Sequence, residues 1–249
     1  LLTVETLREL YPKSKHVAGG THIHHYFEDA EKYFDSIVLG PGEESFAEII
    51  TDMRNGRGIK SVYRTNWGDS VYNDYPIAHR GYLYDSSIVN NSLFLQYGEV
   101  PGTSVLLQRG CNFNCTYCVY NIPNMIQHRS PKNIKKEINY LKSSYGVEGI
   151  NLRDEIAIPA QPKIAIPFME AIGSCDVIWR GQTRVGAKKD IIKLASETGC
   201  VELAVGVETA DPQVLKLIDK KQTMSMVRDF IDYAHEFGIR VKMCLILGL

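Results

Sequence analysis

Apolar and polar residues alternate along the chain in two patterns that predict strands and helices in regular succession. From residue 103 onward, short apolar runs ending in polar side chains are followed by stretches with apolar residues three and four positions apart. The strands predicted in this region are 103–108, 149–152, 177–182, 201–207 and 240–247. Strands that alternate with helices form a parallel sheet, and successive crossovers of one hand curl it into a barrel wall. We therefore predict an α/β fold with a partial parallel (β/α) barrel over residues 103–249.

The first 55 residues carry a shorter version of the same alternation. Each of the two strands predicted there is followed by two glycines, which are Gly19 and Gly20, then Gly40 and Gly42. In a parallel sheet, ligands lie beyond the carboxyl ends of the strands. Residues 1–55 are therefore predicted to form part of a separate α/β domain with its ligand side at these glycines.

Residues 56–102 show little periodicity and many turn-forming residues, and they contain six of the fourteen tyrosines. Such a segment is typical of a connector that runs over the surface between two domains. An alternative is that its aromatic side chains contact a substrate or a partner.

Composition narrows the class of protein. Hydrophobic residues make up 44% and charged residues 23% of the chain, and the net charge is −1. These values are ordinary for a globular protein, and they favour neither nucleic acid nor an anionic membrane as a partner. No apolar run approaches the ~20 residues of a membrane span. Six cysteines, three of them clustered, favour a reducing compartment, and we expect a cytoplasmic protein.

The clustered cysteines have the spacing C-x3-C-x2-C, with Cys111, Cys115 and Cys118 on a loop that begins at Gly110. Thiolates are the usual ligands of iron–sulfur clusters. Three thiolates on a four-iron cluster leave one iron open to another ligand, which suits a catalytic cluster. The alternatives are a zinc site, which usually needs a fourth ligand and a second C-x2-C pair, or three unrelated structural cysteines.

The remaining cysteines, Cys175, Cys200 and Cys244, stand alone in apolar surroundings. We expect them to pack as small hydrophobic residues.

The cysteine motif, with Tyr117 directly before its last cysteine, resembles the signature of the radical S-adenosylmethionine superfamily. The resemblance implies a [4Fe-4S] cluster whose open iron holds the amino and carboxylate groups of S-adenosylmethionine. It also implies reductive cleavage of that cofactor to a 5′-deoxyadenosyl radical and an incomplete barrel fold. Tyr117 occupies the aromatic position that meets the adenine in this family.

Polar residues at the ends of the later strands match further family positions. Asp154 and Glu155 follow the second strand, where the resemblance implies a contact with the methionine amino group; an exposed acidic turn is the alternative. Arg184, after the third strand, would contact the methionine carboxylate or form a surface ion pair. Glu208 lies in a G-V-E-T element that resembles the ribose-binding G-V-E-S element, and Ile246 begins an element that flanks adenine.

The glycine turns of residues 1–55 resemble the last part of the Rossmann-like cobalamin-binding domain that precedes the radical domain in one branch of the superfamily. Cobalamin is accordingly expected in the full-length protein. The D-x-H-x-x-G loop of that domain is absent here, and we expect the chain to be a fragment truncated at both ends. His22 and His24 would share a face of an extended segment and invite a metal-site interpretation, but we prefer a polar loop.

This branch most commonly methylates unactivated carbon, so the resemblance implies a cobalamin-dependent C-methyltransferase. Alternatives are a radical enzyme that performs ring closure, rearrangement or methylthio transfer, and a non-enzymatic iron–sulfur or zinc module. We expect a small-molecule or peptide substrate and an electron donor such as flavodoxin or ferredoxin.

Overall fold

The computed structural model describes residues 2–69, 71–119, 125–159 and 161–249. It divides the chain into two compact units, Leu1–Val71 and Tyr72–Leu249. Each unit has its own parallel sheet and its own hydrophobic core. No helix of the described residues is long and apolar enough to span a membrane.

The first unit contains a three-stranded parallel sheet with the order β1-β2-β3. Its elements are α1 (Leu2–Leu10), β1 (Val17–Ala18), α2 (Thr21–His25), α3 (Phe27–Ala30), β2 (Ser36–Leu39), α4 (Gly42–Arg54) and β3 (Val62–Arg64). The central strand β2 is buried along its whole length, because Ile37 and Leu39 pack with Ile23 and Ala30 in one cluster while Val38 packs with Ile49 of α4 in another. The segment Thr21–His25 is helical, so both the polar loop that we prefer from the sequence and the extended segment of the metal-site alternative are wrong for His22 and His24.

The second unit is built on a five-stranded parallel sheet with the order β10-β9-β8-β7-β4, which confirms the predicted parallel α/β fold. Its strands are β4 (Gly102–Val105), β5 (Gln108–Arg109), β6 (Gln127–His128), β7 (Gly149–Leu152), β8 (Ile178–Thr183), β9 (Cys200–Glu208) and β10 (Arg240–Leu245). Its α-helices are α5 (Asp85–Ile88), α6 (Pro131–Tyr145), α7 (Pro162–Gly173), α8 (Lys189–Glu197), α9 (Pro212–Leu217) and α10 (Met224–Glu236). Short 3₁₀ helices cover Tyr72–Asp74 and Asn91–Phe94.

Helix α6 shows how local sequence sets these boundaries. The Ser130 side chain accepts a hydrogen bond from Asn133 N, and Pro131 occupies the first turn, where its missing N–H costs nothing. Gly146 ends the helix in a left-handed conformation with φ of 65°. Three apolar side chains on one face are fully buried: Ile134, Ile138 and Leu141.

The first predicted strand of this unit, 103–108, is in fact two separate pieces. Strand β4 ends at Val105, and β5 pairs instead with β6 in an antiparallel ribbon at the base of the cysteine loop. The main chain leaves the sheet because the Asp154 carboxylate accepts hydrogen bonds from Leu107 N at 2.9 Å and Gln108 N at 2.6 Å.

The predicted 56–102 connector is divided between the two units. Strand β3 belongs to the first sheet, and the residues from Tyr72 belong to the second unit. The guanidinium of Arg109 lies over the Tyr72 ring, with 4.5 Å to its centroid. The Asn73 side chain accepts a hydrogen bond from Ser130 N at 2.6 Å. This segment thus holds the base of the cysteine loop and the start of α6.

Candidate active site at the carboxyl ends of the strands

A cavity of about 480 Å³ lies at the carboxyl ends of β7, β8 and β9. It brings together the three clustered cysteines and most of the residues predicted to bind cofactor. These are Cys111, Cys115, Tyr117, Cys118, Asp154, Glu155, Arg184 and Glu208. Residues 70 or more positions apart in sequence thus meet in one place, as the strand-end positions predict.

The cysteine loop needs glycine at its start and contacts the segment after α9 at Thr116. Gly110 has φ of 93°, and a Cβ atom there would lie 2.3 Å from Met125 O. Further along, Thr116 N donates to Ile218 O at 3.1 Å. Cys111 and Cys115 are half-buried and Cys118 is exposed. Burial raises the pKa of the Cys111 thiol, so a metal that binds the thiolate is needed to favour the ionised form.

Arg184 lies against the cysteine loop. Its guanidinium stacks on the Phe113 ring, 3.8 Å from the centroid, and donates to Cys115 Sγ at 3.4 Å and to Lys220 O. The position is compatible with the predicted contact to a methionine carboxylate, while the alternative of a surface ion pair is not what the structure shows.

Asp154 and Glu155 do not form an exposed acidic turn. Asp154 is only 2% exposed; its Oδ1 atom accepts the two backbone hydrogen bonds described above, and its Oδ2 atom is buried without a partner in the described part of the chain. The Oε2 atom of Glu155 is likewise buried and unpartnered. Burial raises the pKa of Asp154 to about 7. Buried oxygens without donors are rare in folded proteins and indicate a missing partner.

Glu208 is buried and already paired. Its Oε1 atom accepts hydrogen bonds from Lys220 Nζ at 2.6 Å and from the Tyr117 hydroxyl at 2.8 Å. Burial and the neighbouring Glu208 carboxylate raise the pKa of Tyr117, so its hydroxyl stays protonated and donates. Gly206 makes room for this arrangement, since a Cβ atom there would lie 2.5 Å from Glu208 Oε1 and 2.8 Å from Lys220 Nζ.

Lys220 and Cys244 line the cavity although the sequence did not single them out as site residues. Lys220 is 4% exposed, yet in the sequence it is one member of a Lys-Lys pair with no signal to separate it from Lys221. Cys244 is half-buried at the cavity wall, so its expected role as a packed hydrophobic residue is wrong, whereas Cys175 and Cys200 are buried as expected.

Ile246 is the one predicted S-adenosylmethionine residue outside the cavity lining. Its side chain is 37% exposed, and its backbone N–H donates to Glu208 O at 3.0 Å. Its contribution to the site in this structure is therefore to hold the Glu208 main chain, which has a φ of 64°.

The residues of the cavity fit the cofactors that the sequence predicts. Among the described residues, no three His, Cys, Asp or Glu side chains lie close enough to hold a single metal ion. Three thiols around one cavity suit a larger group such as a four-iron cluster. The unpartnered oxygens of Asp154 and Glu155 would accept hydrogen bonds from an ammonium group, as S-adenosylmethionine carries.

The glycines of the first unit lie where parallel strands meet ligands, after β1 and β2. Gly40 has φ of 83°, and a Cβ atom there would lie 2.0 Å from Thr65 O. Gly19 packs its α-carbon against Val38, Gly20 faces open space, and Gly42 begins α4. An added Cβ atom would meet no atom within 4 Å at Gly20 and only Val38 Cγ1, at 4.0 Å, at Gly42. The nearby His22, His24 and His25 are exposed.

The sequence profile of the Radical SAM superfamily matches residues 105–249, and the chain belongs to this superfamily. The family predicted from the cysteine motif is thereby confirmed, and with it the cluster and S-adenosylmethionine as cofactors of an enzyme.

Similar proteins cover both units. An uncharacterized methyltransferase of Pyrococcus horikoshii is 26% identical, over 86% of this chain and 49% of its own length. An anaerobic magnesium-protoporphyrin IX monomethyl ester cyclase of Synechocystis is 27% identical, over 94% of this chain and 50% of its own length. The chain thus spans about half the length of these curated relatives.

A solved structure shows the same fold across nearly the whole chain. It is the radical S-adenosylmethionine methyltransferase TsrM of Kitasatospora setae, with cobalamin and a [4Fe-4S] cluster bound. The TM-score is 0.75 at 18% identity, over 99% of this chain and 54% of that one. The partial barrel and the α/β unit before it are therefore both features of a known architecture.

Proposed function

We propose that the protein is part of a cobalamin-dependent radical S-adenosylmethionine enzyme that methylates an unactivated carbon. The observation that carries this proposal is the extent of the similarity. It includes the first unit as well as the radical domain, both in a relative named as a methyltransferase and in a methyltransferase structure with cobalamin bound.

We propose the following roles for the residues, and their positions around one cavity support them. Cys111, Cys115 and Cys118 hold the cluster, and Asp154 with Glu155 accepts the ammonium of S-adenosylmethionine. When bound, the reduced cluster and S-adenosylmethionine supply hydrogen-atom abstraction, and cobalamin supplies the methyl group.

Three further residues complete the cofactor cavity. Arg184 lines the cavity and places a cation beside Cys115, where it would meet the methionine carboxylate. Tyr117 and Glu208 lie side by side, where an aromatic ring can meet adenine and a carboxylate can accept from ribose hydroxyls. The main chain at Ile246 steadies Glu208.

In the first unit, we assign cobalamin to the side of the sheet that carries Gly19, Gly20, Gly40 and Gly42. The support is their position after parallel strands and the shared fold of the cobalamin-bound structure. We further propose a small-molecule or peptide substrate, an electron donor of the flavodoxin or ferredoxin type, and a cytoplasmic location, because free thiols of this kind need a reducing compartment.

A second candidate function is radical cyclisation without methyl transfer. The relative named as a monomethyl ester cyclase matches 94% of this chain and favours it.

Product analysis of the full-length protein, reconstituted with iron, sulfide and cobalamin without oxygen, tests the proposal. Methylation predicts that 5′-deoxyadenosine and S-adenosylhomocysteine form together, because one cofactor molecule gives the radical and another recharges cobalamin. Formation of 5′-deoxyadenosine alone would remove methylation and keep the radical step. Cys115→Ala should abolish both products, with Cys200→Ala as a buried-thiol control that keeps them; if Cys115→Ala retains them, the cluster assignment is wrong.

A further inference from the structure

A second cavity, of about 260 Å³, lies beside the cofactor cavity. Phe113, Ile156 and Arg184 line both, so the stacked Phe113 ring and Arg184 guanidinium form part of a shared wall. A group bound in the second cavity would be separated from the cofactors by little more than these side chains.

The lining is mainly apolar, with two polar atoms that lack partners. Gln108 is 1% exposed, and its amide N–H group donates to Ile156 O, which leaves Oε1 as a buried acceptor with no donor in the described part of the chain. The Nδ1 atom of His128 is also buried and unpartnered there. A buried acceptor that no protein group satisfies is costly unless a ligand provides the donor.

The charges around the cavity favour a neutral ligand. Arg184 is engaged by Phe113 and Cys115, and Lys221 at the rim pairs with Asp219 at 2.6 Å. Burial lowers the pKa of His128, which keeps its ring neutral near pH 7. The edge of the His128 ring contacts the Phe168 ring, with 5.8 Å between centroids, so its orientation is fixed by packing.

The size of the cavity sets the scale of the ligand. An engineered apolar cavity of about 150 Å³ accommodates benzene. A cavity of about 260 Å³ therefore takes a single ring with substituents or a fused pair of rings. Gln108 Oε1 is an acceptor, and Nδ1 of a neutral His128 accepts when the ring proton is on Nε2, so a ring that satisfies both must carry an N–H or O–H group.

We propose that this second cavity is a substrate subsite for a neutral, mainly apolar ring that donates an N–H or O–H hydrogen bond to Gln108 and His128. The assignment of the ligand as the substrate rests on the proposed function. The existence of a binding site for the ring does not depend on the proposed function.

A matched pair of probes, indole and 1-methylindole, tests the site by isothermal titration calorimetry on the full-length protein. The two have the same fused rings, but only indole carries an N–H donor. We expect indole to bind about tenfold more tightly than 1-methylindole, which is the usual worth of one buried hydrogen bond. Equal affinities, or no binding of indole at millimolar concentration, would overturn the proposal.

Two variants locate the binding. Ala187, which lines the cavity, is replaced in Ala187→Leu to fill the space, and this should weaken indole binding at least tenfold. Ala47→Leu, the same change on an exposed helical position of the first unit, should have no effect. His128→Phe keeps the ring contact with Phe168 and should reduce the indole preference severalfold.

If Ala187→Leu fails to fold by circular dichroism, the probe pair and His128→Phe still decide the question. An unchanged preference in His128→Phe would overturn the assignment of His128, and unchanged indole binding in a folded Ala187→Leu would overturn the location. Reductive cleavage of S-adenosylmethionine without probe is measured in parallel. Cleavage without indole binding overturns this proposal alone, and indole binding without cleavage overturns the proposed function alone.

Discussion

Two buried carboxylates face the same cavity in opposite states. Asp154, at the end of β7, keeps a spare oxygen without a partner, and burial raises its pKa to about 7. Glu208, at the end of β9, accepts hydrogen bonds from Lys220 and Tyr117. Asp154 thus lacks a cationic partner, whereas Lys220 already provides one for Glu208. Asp154, which lacks a partner, can therefore bind an incoming cationic group. Glu208, which is already paired, can only accept further hydrogen bonds from a neutral group such as a diol.

Removal of Lys220 should have the largest effect on this comparison. Lys220→Met leaves Glu208 buried without its cation, and breaking one partner of a buried pair costs about 3–5 kcal/mol of unfolding free energy. The measurement is urea denaturation followed by Trp179 fluorescence in a Trp67→Phe background, since the chain has two tryptophans and Trp179 is fully buried in the second unit.

Lys221→Met is the matched control for this variant, because the side chain of Lys221 is 67% exposed. Its effect should stay within about 0.5 kcal/mol. The double variant Glu208→Gln/Lys220→Met should recover part of the loss, as neither charge is then left alone. Equal effects of the two lysine variants would show that Glu208 does not depend on Lys220.

The next effect concerns Asp154 and the pH dependence of stability. Its pKa is about 7 in the folded protein against a usual value of 3.8, so the unfolded chain gives up the proton first as the pH rises. This contribution to stability is therefore intact below about pH 4 and is lost between about pH 4 and 7. Asp154→Asn removes this pH dependence because an amide does not titrate. The unfolding free energy of the variant should therefore exceed that of the parent by roughly 2–4 kcal/mol between pH 4 and 8.

The measurement is urea denaturation at a series of pH values. Asp229→Asn, the same change at an exposed position, is the matched control. A flat profile for Asp154→Asn would mean that Asp154 is ionised in the folded protein and is as well satisfied as Glu208.

The smallest effect is expected at Tyr117. Tyr117→Phe removes a hydroxyl that donates to Glu208 and accepts from Lys220 at 3.0 Å, but leaves the ion pair in place. The loss should be about 1 kcal/mol in the same denaturation experiment. Tyr82→Phe, at a residue that is 92% exposed, is the control and should leave the unfolding free energy unchanged. A loss for Tyr117→Phe as large as that for Lys220→Met would show that the hydroxyl, and not the ion pair with Lys220, is the main support of Glu208.

For both carboxylates, the sequence predicts the position in the fold but not the hydrogen-bonding partners. The positions of Asp154 and Glu208 follow from strand ends in a parallel sheet, which apolar periodicity locates well. Their states depend on partners distant in sequence. Lys220 reaches Glu208 because the chain between α9 and α10 turns back over the strand end, with Asp219 and Lys221 in left-handed conformations, and a Lys-Lys pair in the sequence gives no sign of this.

The ribbon of β5 and β6 was missed for a similar reason. Two residues on each side are too few for a periodic pattern, and the break after Val105 depends on a carboxylate 47 residues away from Leu107. Cys244 looked apolar because its sequence neighbours are, although its side chain faces the cavity. In each case a contact between distant residues overrides a local preference.

The ribbon has a consequence for how the protein loses and regains its metal. Because residues 108–109 pair with 127–128, the thiols lie on a loop whose two ends are joined by backbone hydrogen bonds. This loop lies outside the hydrophobic core of the sheet and its helices. Oxygen damage to a cluster bound by this loop would loosen the loop and leave the barrel intact. We therefore expect fresh iron and sulfide to restore the cluster without unfolding of the barrel.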